Sequence, residues 1–216
     1  MFRWSAAAVI GVALLVGHLR GQQTPPSPVA DPEAYARFLE GAERVSRLQV
    51  PRVIDALGLT PGMRVADLGS GSGLFTRPMA IAVRPGGVAY AVDINEGLLR
   101  VVARSAREHG LDNLRTVHAD PDDPKLPEPV DVVLICDTLH HIVNQGAYLK
   151  TVRRYLKPGG RVAVIDFSEH WPEGHEPMAY TEARLGTWMA GAGFSRLRDF
   201  DFLDNSFFVI FGRPLR

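Results

Sequence analysis

The sequence predicts an α/β protein built on a doubly wound parallel sheet with helices on both faces, and three observations carry that expectation. Strand-like and helix-like apolar patterns alternate regularly from about residue 63 to residue 167. The first strand pattern runs straight into Gly69-Ser70-Gly71-Ser72-Gly73, a turn in which three residues lack a Cβ. Val130–Cys136 is an almost unbroken apolar run, as expected of a strand covered on both faces of a parallel sheet.

Each element has its own local reason. Asp31 and Pro32 read as the cap and first residue of a helix whose apolar face collects Tyr35, Phe38, Leu39, Ala42 and Val45. A second helix runs from about Pro51 to Leu57 and stops at Gly58. Pro61-Gly62 turns the chain into a strand over 63–68, and a helix over 74–83 follows the glycine turn with Pro78 early in it. Next come a strand over 88–92, a helix over 96–109 capped by Asn95, and a short strand over Leu114–His118. After Val130–Cys136, Asn144 caps a helix with Tyr148, Leu149, Val152, Tyr155 and Leu156 on one side. Lys157-Pro158-Gly159-Gly160 then turns into a strand over 161–167. The loop over 168–180 has no period. A helix over 182–192 and two strands, 194–202 and 206–211, joined at Asp204-Asn205, close the domain as an antiparallel hairpin.

The chain has 216 residues, enough to bury a core without disulfides, and its single cysteine, Cys136, excludes an intrachain bridge. Lys and Arg number 24, as do Asp and Glu, so no broad basic surface is present and no nucleic-acid partner is expected. Arg100, Arg104 and Arg107 share one helix face and read as a solvated stripe. The N-terminus is different: after Arg3, an apolar stretch of about 14 residues fits a secretory h-region and is short for a span of about 20. Residues 1–21 are thus expected to be a signal peptide or an N-terminal membrane anchor, 22–30 a linker, and 31–216 the folded domain. Membrane association would run through residues 4–19. Export to a periplasm and an anchored domain facing the cytoplasm both stay open, because Arg3 and Arg20 flank the segment evenly.

In open parallel sheets, ligands lie across the carboxyl ends of the strands. Here those ends carry Asp67 with the glycines, then Asp93, Asp120 and Asp137-Thr138. Asp93 stands 20 residues beyond Gly73, a separation that suits an acid accepting ribose hydroxyls. A dinucleotide fingerprint would need glycine at position 74, which is Leu74, and Asp67 would repel a pyrophosphate. A ligand with a positive charge suits the site better.

These residues resemble the class I S-adenosylmethionine-dependent methyltransferases. The likeness rests on Asp67-Leu68-Gly69-Ser70-Gly71-Ser72-Gly73, Tyr90-Ala91-Val92-Asp93-Ile94, Ala119-Asp120, and Leu156-Lys157-Pro158-Gly159-Gly160-Arg161-Val162, and spans about residues 50–211. Within the family it is loosely similar to the bacterial quinone-biosynthesis C-methyltransferases. The resemblance implies a Rossmann-like seven-stranded sheet of order 3-2-1-4-5-7-6 with strand 7 antiparallel. It implies that S-adenosylmethionine is the cofactor, with Gly69, Ser70, Gly71 and Gly73 holding its methionine part and Asp67 near the ammonium. Asp93 would take the ribose, Ile94, Ala119 and Asp120 the adenine, and Asp137 and Thr138 the wall beside the sulfonium.

A small-molecule acceptor is expected, and its proton, where it has one, needs a base with a suitable pKa. His140 and His141, directly after the fourth strand, are the candidate catalytic residues. Tyr35, Phe38 and Trp171 are candidates to cover the acceptor, and Asp166 and Glu169 to face it or the rim. Asp137, His140, His141, His170 and His175 have metal-ligand chemistry, but their spacing matches no zinc pattern and no metal is expected. A nucleotide-dependent oxidoreductase and an exported, non-catalytic binding domain are the rival readings. The first is disfavoured by Leu74 and the terminal hairpin.

Overall fold

A computed structural model describes residue 27 and residues 29–214. The apolar segment 4–19, the expected signal or anchor 1–21 and most of the linker 22–30 lie outside them. Among the described residues, no helix is long and apolar enough to cross a membrane.

The strands are β1 (Arg64–Leu68), β2 (Val88–Asp93), β3 (Leu114–His118), β4 (Val130–Cys136), β5 (Leu156–Phe167), β6 (Ser195–Phe200) and β7 (Ser206–Gly212). They form one sheet in the order β3-β2-β1-β4-β5-β7-β6. β7 is antiparallel to both neighbours and the other pairs are parallel. The order and the hairpin agree with the expectation. The chain leaves β1 toward one edge and returns at β4 on the other side, so the order reverses between them. There Leu68 is in register with Ile135, and the turns after β1 and β4 emerge side by side.

Strand alternation sends side chains into two separate cores. Ala66, Leu68, Val133, Ile135, Val162 and Val164 face one side, against α6 (Gln145–Arg154) and α7 (Glu182–Gly191). Val65, Val132, Leu134, Ala163 and Ile165 face the other. They pack on α2 (Ala42–Leu48), α3 (Val50–Leu57), α4 (Thr76–Ala82) and α5 (Glu96–Glu108).

Caps formed where the sequence put them. The side chains of Asp31, Asn95 and Asn144 accept from Ala34, Leu98 and Ala147 backbone N–H groups at 2.8, 3.1 and 3.1 Å. Three local readings are corrected. The first helix is two: α1 (Pro32–Leu39) ends at Glu40, and Gly41 redirects the chain into α2. The helix expected from Leu74 begins at Thr76, after a run of turns. Lys157-Pro158-Gly159-Gly160 is not a turn ahead of a strand but a bulge inside β5. The partner of Val130 is Leu156 and that of Val132 is already Arg161.

The arginines of α5 are exposed, as expected of a solvated stripe, and one of them also makes a tertiary contact. Arg104 makes a two-pronged pair with Glu33 at 2.6 and 2.7 Å, and Arg77 meets Glu40 at 2.6 Å, so α1 is tied down over the sheet's carboxyl edge. Asn205, in the left-handed region at φ 49°, turns the β6–β7 hairpin. Its carboxamide accepts from the backbone N–H groups of Glu169 and His170 at 3.1 and 2.8 Å. The hairpin tip thereby positions the loop that follows β5.

Candidate active site

The turn after β1 is closed on itself. Gly69 and Ser70 donate their N–H groups to the Val92 carbonyl at 2.8 and 3.0 Å, and Gly73 donates to Ser70 at 2.8 Å. Gly71 donates to Asp93 Oδ2 at 2.9 Å. The N–H groups of Gly69, Ser70, Gly71 and Gly73 are thus taken up within the protein, and what the glycines supply is room. A Cβ on Gly69, at φ 72°, would stand 2.3 Å from the Thr138 side chain, and one on Gly71 would stand 2.8 Å from Leu39. Gly73 serves packing instead, with Val102 of α5 3.1 Å from its Cβ position.

Between this turn, α1 and the ends of β2, β3 and β4 lies a cleft of about 710 Å³, large enough for a nucleoside-sized ligand. It brings together Asp67, Gly69, Ser70, Gly71, Asp93, Ile94, Ala119, Asp120, Asp137 and Thr138, every expected cofactor residue except Gly73. His141 lines it as well, and Tyr35, Leu39 and Arg44 close over it. A second cleft, of about 670 Å³, lies between α5 and β3 and carries none of these groups.

Asp67 is 3% exposed and accepts from the Thr76 hydroxyl at 2.5 Å. Loss of water pushes its carboxyl up to about 6, and the nearby Asp93 adds to the rise, against the Thr76 bond and the Arg44 charge. Asp93 is raised in the same direction by burial, opposed by N–H groups of Asn95, Gly71 and Ile94. Both acids are held in a place where a cation would relieve them. The hydroxyls of Ser70 and Ser72 are buried with no hydrogen-bond partner among the described residues. Ile94 presents a 61% exposed apolar side chain beside Asp93, and Asp120 pairs with Lys125 at 2.5 Å on the rim. Carboxylates, spare hydroxyls and an apolar shelf fit an amino acid carrying a positive charge joined to a nucleoside, and disfavour a pyrophosphate.

Asp137 behaves differently from the other acids. It sits in the left-handed region at φ 48°. Its Oδ2 receives Arg44 Nη2 at 2.9 Å, Arg44 Nε at 3.2 Å and Arg47 Nη2 at 2.7 Å, while Oδ1 is buried without a partner among the described residues. Neither arginine was singled out from the sequence. Their three-residue spacing on a helix was the only available signal, and it does not reveal an acid 93 residues away.

At the other end of the cleft, a 3₁₀ turn over Leu139–His141 follows β4. His140 is 3% exposed and does not line the cleft. Its Nδ1 lies 2.8 Å from Asp166 Oδ1, and Asp166 also accepts from the Tyr180 hydroxyl at 2.9 Å. Asp166 is thus fully buried and committed, facing neither acceptor nor rim, while Glu169 is exposed. Trp171 packs edge-on against His140 with centroids 5.3 Å apart. Tyr35 is the expected aromatic that lines the cleft, and Phe38 stacks on it from outside. His141 and His175 complete a cluster of three imidazoles, with centroid separations of 4.1, 5.3 and 5.3 Å. Burial and the two neighbouring rings press His141 down to about 4, so it is neutral at pH 7.

Comparison with known proteins agrees with this geometry. Residues 59–193 match a family described as a methyltransferase domain. The ubiquinone/menaquinone biosynthesis C-methyltransferase of Ectopseudomonas mendocina is 38% identical over 120 residues, 54% of this chain and 46% of that protein. The Burkholderia vietnamiensis enzyme of the same name is 40% identical over 115 residues, 51% of this chain and 46% of that protein. The chain therefore spans about half the length of the curated relatives it matches. A solved structure described as a SAM-dependent methyltransferase from Aquifex aeolicus superposes with a TM-score of 0.75 at 25% identity, covering 85% of this chain and 98% of that one.

Proposed function

The chain belongs to the methyltransferase domain family, and on that premise we propose that it is an S-adenosylmethionine-dependent methyltransferase acting on a small-molecule acceptor. One observation carries the reading: two buried, charge-hungry carboxylates and two unpartnered serine hydroxyls converge on one cleft at the reversal of strand order.

Bound S-adenosylmethionine would supply the electrophilic methyl group and its own leaving group. The protein's task is placement and exclusion of water. Asp67 would face the ammonium, with Ser70 and Ser72 offering hydroxyls to the amino-acid end. Asp93 accepts from the backbone N–H groups of Asn95 and Gly71, one on each oxygen, and retains acceptor capacity for ribose hydroxyls. Ile94, Ala119 and Asp120 would hold the adenine. Thr138, beside Gly69, and Asp137, gripped by Arg44 and Arg47, would form the wall beside the transferred methyl. Tyr35 and Leu39 would shield it from water. His141 lines the cleft where the acceptor would enter and His140 is buried behind it, and we assign the pair to the acceptor end rather than to the cofactor.

For the N-terminal segment, the same proposal takes residues 1–21 as an export signal or anchor and 31–216 as the domain. Its apolar character also supports a second reading, an exported protein that holds the cofactor without turning it over. Calorimetry of the full chain with S-adenosylmethionine and S-adenosylhomocysteine, followed by transfer of a labelled methyl group to a panel of small phenols, quinols and amines, tests both. Saturable binding with transfer supports the enzyme, and binding with no transfer supports the second reading. Binding of neither ligand overturns the assignment.

A further inference from the structure

We propose that His140, His141 and His175 form a binding site for a divalent transition-metal ion of the zinc class at the acceptor end of the cleft. One ring nitrogen from each of the three lies within 4.8 Å of the other two. Tetrahedral zinc with bonds of about 2.0–2.1 Å would bring such nitrogens to about 3.4 Å. The closing, up to about 1.4 Å from the 4.8 Å limit, can come from His175, which lies on the loop after β5 while the other two share one 3₁₀ turn.

The surroundings of the three rings resemble the support that metal-binding histidines need. Ligating imidazoles usually donate the second ring N–H to a carboxylate or carbonyl, which sets tautomer and orientation. His140 has this partner in Asp166, at 2.8 Å from Nδ1, so Nε2 is the nitrogen it can offer. Asp166 is itself fixed from two further directions, by the Tyr180 hydroxyl at 2.9 Å and the Phe167 N–H at 3.0 Å, and is wholly buried. His175 Nδ1 makes a longer 3.4 Å contact with the Glu173 carbonyl. Trp171 and Phe167 wall the cluster, with centroids 5.3 and 6.0 Å from His140.

The other two residues singled out for metal-ligand chemistry, Asp137 and His170, stand apart from the cluster. The carboxylate of Asp137 is held by Arg44 and Arg47, and His170 is exposed on the rim with its backbone bonded to Asn205. What converges is an all-nitrogen set, which suits Zn²⁺, Cu²⁺ or Ni²⁺ and not Mg²⁺ or Ca²⁺. Three protein ligands leave a fourth position for an exogenous oxygen. Because His141 also lines the cleft, the ion would stand at its wall. If the transferase reading above is right, that position would take a hydroxyl oxygen of the acceptor as its conjugate base, its proton passing to solvent. Metal binding itself does not depend on that reading.

The test uses the untagged full chain, stripped with a chelator and titrated with Co²⁺ by visible absorption and with Zn²⁺ by calorimetry. A single equivalent with a four-coordinate Co²⁺ spectrum is expected. H141A and H175A, both outside the packed core, should each weaken Zn²⁺ binding at least 100-fold, D166N about 10- to 100-fold, and H170A not at all. Circular dichroism on each variant separates loss of the site from loss of the fold. Absence of stoichiometric binding, or binding that survives both H141A and H175A, overturns the proposal. S-adenosylhomocysteine titration of the same stripped protein keeps the two readings apart. Zn²⁺ binding without it overturns the transferase and leaves the metal site standing, and the reverse result does the opposite.

Discussion

The two ends of the cleft solve different problems with different materials. The cofactor end is made of glycines, acids and hydroxyls that follow their strands within a few residues, and its charge is unbalanced. Burial raises the carboxyls of Asp67 and Asp93, which have hydrogen-bond donors but no cation in contact among the described residues. The acceptor end is made of histidines and aromatics gathered from the 3₁₀ turn, the end of β5 and the loop beyond it, and its acids are already engaged by neighbouring side chains. Asp166 has His140 and Tyr180, and Asp137 has two arginines. A site left electrostatically unfinished is one a charged ligand completes. Acids that are engaged internally serve to hold their neighbours in place, as Asp166 holds His140.

The contrast can be broken most forcefully at Gly69. G69A puts a Cβ 2.3 Å from Thr138 at φ 72°. It is expected to cost about 2–5 kcal/mol in stability and to abolish S-adenosylhomocysteine binding, read by denaturant melts and calorimetry. The control is G62A, at φ 87° but with nothing within 4 Å of the added Cβ. It should cost only about 1–2 kcal/mol and leave binding intact.

At the acceptor end, D166N replaces a wholly buried acceptor of two side-chain hydrogen bonds. A loss of about 1–3 kcal/mol is expected, with S-adenosylhomocysteine affinity unchanged within twofold. A large drop in cofactor affinity would mean that the two ends are coupled after all.

Asp67 supplies a pH test of the unfinished end. Its carboxyl is raised to about 6 in the folded protein, so ionisation opposes folding. This contribution to stability is greatest below the ordinary carboxylate range and declines as pH rises through about 6. Binding of a cation runs the other way, because it needs the carboxylate. S-adenosylhomocysteine should bind about tenfold more weakly at pH 5 than at pH 7.5, and D67N should bind weakly with that dependence removed. A flat profile in the unaltered protein would take Asp67 out of the ligand contact.

The smallest effect is expected at the clamp that holds α1 over the cleft. E33Q weakens an exposed pair with Arg104, so global stability should hardly move. Amide exchange in α1 should quicken, and added salt should produce the same change in the unaltered protein.

Much of this molecule is written in short-range pattern. Asp31, Asn95 and Asn144 cap helices because a cap is a bond over three residues. Val130–Cys136 is a central strand because an apolar run of that length satisfies two packed faces. The glycine turn is recognisable because its φ angles demand glycine in place. The lapses also have local causes. Gly41 was compatible with either a continued helix or a break, and the break came because α2 packs Leu48 into the core beside α3 and α4. Lys157-Pro158-Gly159-Gly160 has turn chemistry whether it precedes a strand or interrupts one, and pairing with β4 settled that it interrupts.

By itself the sequence determined the alternating α/β order, the helix caps and the row of acids at the strand ends, because each depends on residues within one turn or one strand of each other. Tertiary structure alone decided that Arg44 and Arg47 neutralise Asp137, that Asp166 is committed to His140 and Tyr180, and that His175 joins His140 and His141. Those contacts close across 14 to 93 residues of intervening chain. Their partners are chosen by how the sheet order brings loops together, which no spacing in the chain encodes.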